Sequence, residues 1–270
     1  MLYRLKVIFG LAFCVFGTGL GIAKTPPKPF EITKDQQAIG IVQSALEALG
    51  GLNIAATYSD SVTIATASIH ETNAEIEVPV TIKTKGSREM RSEMHMPKGL
   101  TVRILNNGRS ILQRPNGKVQ KLSMNNAVGE RIEHIPLFSM LSEYAHPDIS
   151  VQYKGTSQVQ GQPVQVVALS YVPSTDPGQG PAFSAATQTL FFIDQTTNLV
   201  DKLRYTNHDE NDDGTTQQID VYFSQYQTVD GVAIPFHQAT YADGKLLSEL
   251  VLKSVTFNNG LSDSEFTLPE

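Results

Sequence analysis

Asp209, Asn211, Asp213 and Gly214, with Asp220 at the twelfth position of the same stretch, follow the spacing of a calcium-binding loop. Such a loop wraps oxygen ligands from alternate positions around the ion and uses the glycine for its sharp turn. Three details weigh against it: the eighth position is Thr216 rather than an aliphatic residue, the last ligand is Asp rather than the longer Glu, and apolar alternation flanks both sides. Acidic residues beside a glycine also favour turns for purely backbone reasons. The stretch is therefore expected to be a long acidic hairpin turn, with calcium as the alternative. The other candidate chemistry is sparse. The histidines at 70, 95, 134, 146, 208 and 237 include no pair at metal-ligand spacing, and each is expected to be solvated or satisfied rather than a general base. The serine-hydrolase elbow, the phosphate loop and the zinc-protease helix motif do not occur. The Gly-x-Gly-x-Gly run at Gly17 to Gly21 lies in a leader. No catalytic residue and no cofactor are expected, and the chain is read as a non-enzyme.

The leader is residues 1–23. Arg4 and Lys6 precede an apolar run from Val7 to Ile22 that closes on Gly21-Ile22-Ala23, which describes a secretory signal cut after Ala23. An uncut anchor is the alternative; the run is short for a span and is broken by four glycines. Acylation at Cys14 is disfavoured by the bulky Phe13 before it. The leader holds two of the 21 basic residues, none of the 27 acidic ones and the only cysteine, so without it the net charge is −8. That charge is a poor match for nucleic acid. It also leaves no disulfide, so an exported, periplasmic chain would rest on its core alone.

After the leader, a proline-rich linker at 24–32 is followed by one domain at 33–270. Thr33 and Gln36 are spaced as a capping box, Ala38, Ile41, Val42, Ala45, Leu46 and Leu49 recur at helical period, and Gly50-Gly51 stops the helix. From Tyr58 the period falls to two. Strands are expected at 62–69, 75–84, 89–94, 100–105, 150–154, 164–171, 190–193 and 199–205, and then in a C-terminal meander turned by Asp230-Gly231 and Asp243-Gly244. A helix of about ten residues should begin near Pro136 and end before Pro147. Residues 173–188, rich in Pro, Gly, Ser and Thr, are expected to be a surface loop, with a mobile flap as the alternative. The sum is a mainly β, α+β domain: a largely antiparallel sheet with helices on one face.

Three apolar sets alternate along these strands: Ile76, Val78, Val80 and Ile82; Leu100, Val102 and Ile104; and Ile219, Val221 and Phe223. If the sheet curls, all three are expected on its concave side. They would then form either a packed core or, because two helices cover few strands, the wall of an apolar cavity.

The chain resembles the LolA/LolB-like superfamily of periplasmic lipoprotein carriers, and in particular its outer-membrane lipoprotein-sorting-like members. The likeness is carried by Ala48-Leu49-Gly50-Gly51, by Lys85 to Glu93, by the turn from Asp194 to Val200, by Tyr226 to Pro235, and by the closing Phe257-Asn258-Asn259-Gly260-Leu261. The resemblance implies an incomplete, curled antiparallel β-barrel with helices across its concave face. It further implies an apolar cavity for acyl chains, with lipids or lipoproteins as ligands and envelope proteins as partners. The rival expectation is a structural module of the envelope with a filled interior.

Overall fold

The computed structural model describes residues 31–70, 74–122, 136–172, 179–208 and 216–268. The leader, most of the linker, and Asp209, Asn211 and Asp213 of the acidic turn lie outside these residues. Thirteen strands form one sheet in the order β6-β5-β4-β3-β2-β1-β13-β12-β11-β10-β9-β8-β7. They are β1 (Asp60–His70), β2 (Glu75–Lys85), β3 (Glu89–Met96), β4 (Gly99–Asn106), β5 (Arg109–Gln113), β6 (Val119–Leu122), β7 (Ile149–Val159), β8 (Gln162–Tyr171), β9 (Thr189–Asp194), β10 (Val200–His208), β11 (Thr216–Val229), β12 (Val232–Ala242) and β13 (Lys245–Phe257). Every neighbouring pair is antiparallel, and the first and last strands lie side by side in the middle of the sheet. Both halves are hairpin meanders, which is what the period of two and the Asn-Gly and Asp-Gly turns dictate. Asn107, Asp230 and Asp243 take the left-handed backbone conformation that such turns require.

Helix α1 (Gln36–Leu49) buries the six apolar residues of its helical stripe, Ala38, Ile41, Val42, Ala45, Leu46 and Leu49. Its cap is Asp35, whose carboxylate accepts from the amides of Gln37 and Ala38 at 2.8 and 3.2 Å, not the expected Thr33. Thr33 is occupied elsewhere: its carbonyl accepts from the Val151 amide at 2.7 Å, and Asp35 donates its own amide to the Val151 carbonyl at 3.0 Å. The short segment from Thr33 to Asp35 therefore both starts the helix and covers part of edge strand β7, whose free backbone groups would otherwise invite another chain.

The expected second helix is shorter and mixed. It consists of α3 (Phe138–Leu141), after a single turn α2 (Ile54–Thr57), and it tightens into a 3-10 turn over Ser142–Ala145. The stretch expected as a loop or flap contains α4 (Gly180–Thr187). Pro181 sits in its first turn, where the missing amide costs nothing. Thr187 Oγ1 bonds both the amide and the carbonyl of Tyr171, and Ser184 Oγ lies 3.0 Å from Ser170 Oγ, so this part of the stretch is tied to β8. Its alanines were hidden by the surrounding prolines and glycines.

The main core lies on one side of the sheet. Helix α1, with Leu137, Phe138 and Leu141, packs over residues such as Val151, Val167, Phe191, Ile193 and Leu203. These side chains are almost wholly buried. No described helix is long and apolar enough to cross a membrane.

Candidate functional site

The register decides which side chains share the concave face. Ala65 and Ala67 of β1 face Val80 and Val78 of β2, and Ile82 faces Ser92 of β3, which faces Arg103 of β4. On the other half, Leu203 faces Val221, Tyr205 faces Ile219, and Val221 and Phe223 face Thr240 and Gln238. Helix α1 and its neighbours cover the part of this face formed by β7 to β9, while the remainder encloses a cavity of about 420 Å³. Every residue of the cavity wall belongs to a strand, from β1 to β4 on one side and β10 to β13 on the other. Arg103 and Tyr205 can wall one space only because the sheet curls over itself. The volume falls within the range of roughly 300–1,000 Å³ typical of small-molecule sites.

Of the ten residues expected on a cavity wall, Val80, Ile82, Ile219 and Val221 line it. Val78 and Phe223 are buried in the adjoining core, with Ile76 half-buried against it. Leu100, Val102 and Ile104 are elsewhere. Their strand places Arg103 and Leu105 inward, so Val102 and Ile104 point to the convex face and form a separate cluster with Ile111, while Leu100 is exposed. Apolar residues stand on both sides of β4, so a period of two identifies the two faces without saying which one is inside.

What buries the convex cluster is the chain's own end. A 3-10 turn over Asp263–Phe266 lies against β3 and β4. It is fastened by Lys83 to Glu265 at 2.8 Å, by Arg91 to the Glu265 carbonyl at 3.3 Å and by Asn106 to the Phe266 carbonyl at 3.1 Å. The preceding Asn259-Gly260-Leu261 run wraps the buried carboxylate of Asp60, which accepts their three amides at 2.6, 2.9 and 3.1 Å. Burial by itself pushes this carboxyl up, but the amides outweigh it and hold it below the usual carboxylate range.

The convex face also holds an ion-pair cluster. Asp220, the twelfth residue of the calcium-like stretch, accepts a two-pronged bond from Arg204 at 2.6 and 2.8 Å, and Lys202 lies 3.7 Å away. Asp220 is thus held in an ion pair, and a cation at this carboxylate would have to displace the guanidinium. The Lys202 ammonium sits 4.1 Å from the Phe192 ring centre, and its burial lowers its pKa. No group of three or more His, Cys, Asp or Glu among the described residues is arranged to hold a metal.

A second constellation links four strands. Ser224 Oγ is 3.0 Å from His237 Nδ1, His237 Nε2 is 3.0 Å from Glu249, and His70 Nε2 is 3.5 Å from the other oxygen of Glu249. The residues lie 13, 12 and more positions apart in the chain, so their spacing gave no signal of the contact. Ser224 to Glu249 has the order of a nucleophile, base and carboxylate. Ser224, which is exposed, and His237 stand on the outward face of β11 and β12, whereas Glu249 and His70 reach the cavity wall, and the structural effect is to tie these strands together.

No protein-family model matches the chain, and no curated protein is significantly similar to it. Solved structures do match. An outer-membrane lipoprotein-sorting protein domain from Vibrio parahaemolyticus superposes with a TM-score of 0.55 at 13% identity, covering 85% of this chain and 96% of that one. A LolA superfamily protein from Nitrosomonas europaea gives a TM-score of 0.55 at 14% identity over 86% and 97% of the two chains. A DUF1329 family protein from Desulfovibrio piger gives 0.55 at 13% over 85% and 97%. The fold is therefore LolA-like, an incomplete and curled antiparallel barrel, as the sequence motifs led us to expect.

Proposed function

We propose that this protein is a periplasmic, non-catalytic carrier that holds the acyl chains of a lipid or lipoprotein inside the curled sheet. The observation that carries the reading is the cavity left beside the filled half of the concave face, walled by Val80, Ile82, Ile219 and Val221 among others. Apolar surface of this kind rewards each buried methylene with about 0.8 kcal/mol, so a single chain entering a preformed space is enough for useful affinity. The fold supports the same reading, because one of the solved structures that share it is described as an outer-membrane lipoprotein-sorting protein domain. The leader at 1–23 would deliver the domain across the inner membrane and be removed after Ala23.

The test is direct. Protein stripped of lipid by organic extraction is titrated with a fluorescent fatty-acyl probe, and organic extracts of protein taken from its native periplasm are examined by mass spectrometry. Saturable binding of the probe, displaced by unlabelled lipid, is expected. Absence of probe binding together with lipid-free native extracts would end the carrier reading in favour of a structural envelope module.

A further inference from the structure

The cavity wall changes character from one end to the other. Along β11 it passes from Gln217, which is exposed, to Ile219 and Val221, which are buried, and the next inward residue, Phe223, belongs to the core. Strand β10 repeats the gradient, since half-buried Asn207 and Tyr205 line the space and Leu203 after them is core. Asn207 pairs with Gln217 at the end of the sheet where β10 turns into β11. His70, the last residue of β1, and Glu249, near the start of β13, lie at the same end and also line the cavity. The rim is therefore polar and solvated, and the interior behind it is apolar and closed by core. An amphiphile fits this gradient with its tail inward and its polar end among the rim residues.

The volume limits how much hydrocarbon can enter. A methylene takes up about as much room as a water molecule in the liquid, roughly 30 Å³, so a space of about 420 Å³ admits on the order of 14 of them. Shared between two chains, the same space leaves about seven carbons for each, and between three fewer than about five. Tails that short gain little, given that even a whole myristoyl chain holds a protein to a membrane only marginally. We infer that the cavity takes one acyl chain at a time, and that the ligand class is the single-chain amphiphile rather than a lipid or lipoprotein with two or three chains. This rests on the carrier reading and narrows it from acyl chains in general to a chain number and a chain length.

The experiment holds the head group constant and varies the tail. Delipidated protein is titrated, below micelle formation, with lysophosphatidylcholines from octanoyl to stearoyl, read by displacement of a fluorescent fatty-acyl probe. Affinity should rise about fourfold with each added methylene and level off near myristoyl, where the space is full. Native mass spectrometry should find one lipid on each protein molecule, and incubation with vesicles of dimyristoyl phosphatidylcholine should leave the protein lipid-free. Ala67→Val puts two further carbons into the space and should move the break down by about two carbons, to lauroyl. Val80→Ala removes two and should move it up to palmitoyl, so either variant serves if the other fails to fold. A rise that continues unbroken to stearoyl, a break that neither variant moves, two lipids on one protein molecule, or uptake of the two-chain lipid would overturn the single-chain assignment while leaving the carrier reading standing. Binding of no member of the series, the probe included, would overturn both readings together.

Discussion

Two carboxylates, Asp60 buried and Asp201 half-buried, are shifted in opposite directions. Asp60 accepts amides from the C-terminal turn and stays charged, whereas Asp201 has burial and the neighbouring negative charge of Asp194 acting together, which push it up to about 6. A carboxyl with a raised value in the fold adds stability while it is protonated. That contribution is full below the ordinary carboxylate value and disappears as pH rises through about 6. Asp201→Asn is therefore expected to leave stability at pH 4 unchanged and to raise it at pH 8 by about 1 kcal/mol, after discounting for solvent screening. Urea midpoints of both proteins across that interval check this, and curves that stay parallel would refute it. For Asp60 the sign is reversed: its contribution is present above the ordinary carboxylate value and lost as pH falls through the depressed one. Asp60→Ala should cost roughly 1–3 kcal/mol in denaturant unfolding at neutral pH, because it leaves three part-buried amides without their acceptor. Neither role was legible in the sequence. An aspartate at the start of a strand looks the same whether it meets solvent or a turn from residues 259–261, some two hundred positions away.

At the level of elements, two of the motifs that carried the family resemblance turn out to meet. The end of α1 at Gly50 packs on the β11–β12 hairpin, where a Cβ on Gly50 would stand 2.8 Å from the Gly231 carbonyl and 2.7 Å from the Ile54 side chain. Gly50 also has φ +138°, which side chains rarely adopt. Tyr58, just after α2, donates its hydroxyl to the carbonyl of Asp230 in the same hairpin. Gly50→Ala is expected to cost about 2–4 kcal/mol from backbone strain and the clash combined, while Gly40→Ala, with open space around it in mid-helix, should stabilise by roughly 0.5–1 kcal/mol. Thermal unfolding of the two variants side by side checks both signs. Element types were readable because the apolar period switches cleanly from helical to alternating at Tyr58. Caps and faces were less so. Thr33 and Asp35 are both acceptable caps by type, and the choice fell to Asp35 because Thr33 is committed to edge strand β7, a contact 118 residues away in the chain.

At the scale of the molecule, the concave face is divided between a filled half and an open half, and the two should respond differently to the same kind of change. Phe191 lies in the filled half, 1% exposed among core residues, so Phe191→Ala should cost about 3–5 kcal/mol and leave a void. Ala67 lines the open half on β1, facing Val78 and Leu250 across the sheet. A larger side chain there has room to enter the cavity, which in a packed core would cost about 1–3 kcal/mol of strain. Ala67→Phe is expected to leave the denaturation midpoint unchanged or raise it, and to abolish binding of a fatty-acyl probe by occupying the space the chain would take. Stability loss comparable to that of a core overpacking change would show the space to be filled by the protein's own side chains. Retained probe binding in a stable Ala67→Phe protein would place the ligand elsewhere. The sequence supplied the curl and the apolar strands, yet it left open whether Val80, Ile82, Ile219 and Val221 plug the interior or line it. That depends on how much of a 13-stranded face α1 and α3 can cover, a quantity set by the register of strands far apart in the chain.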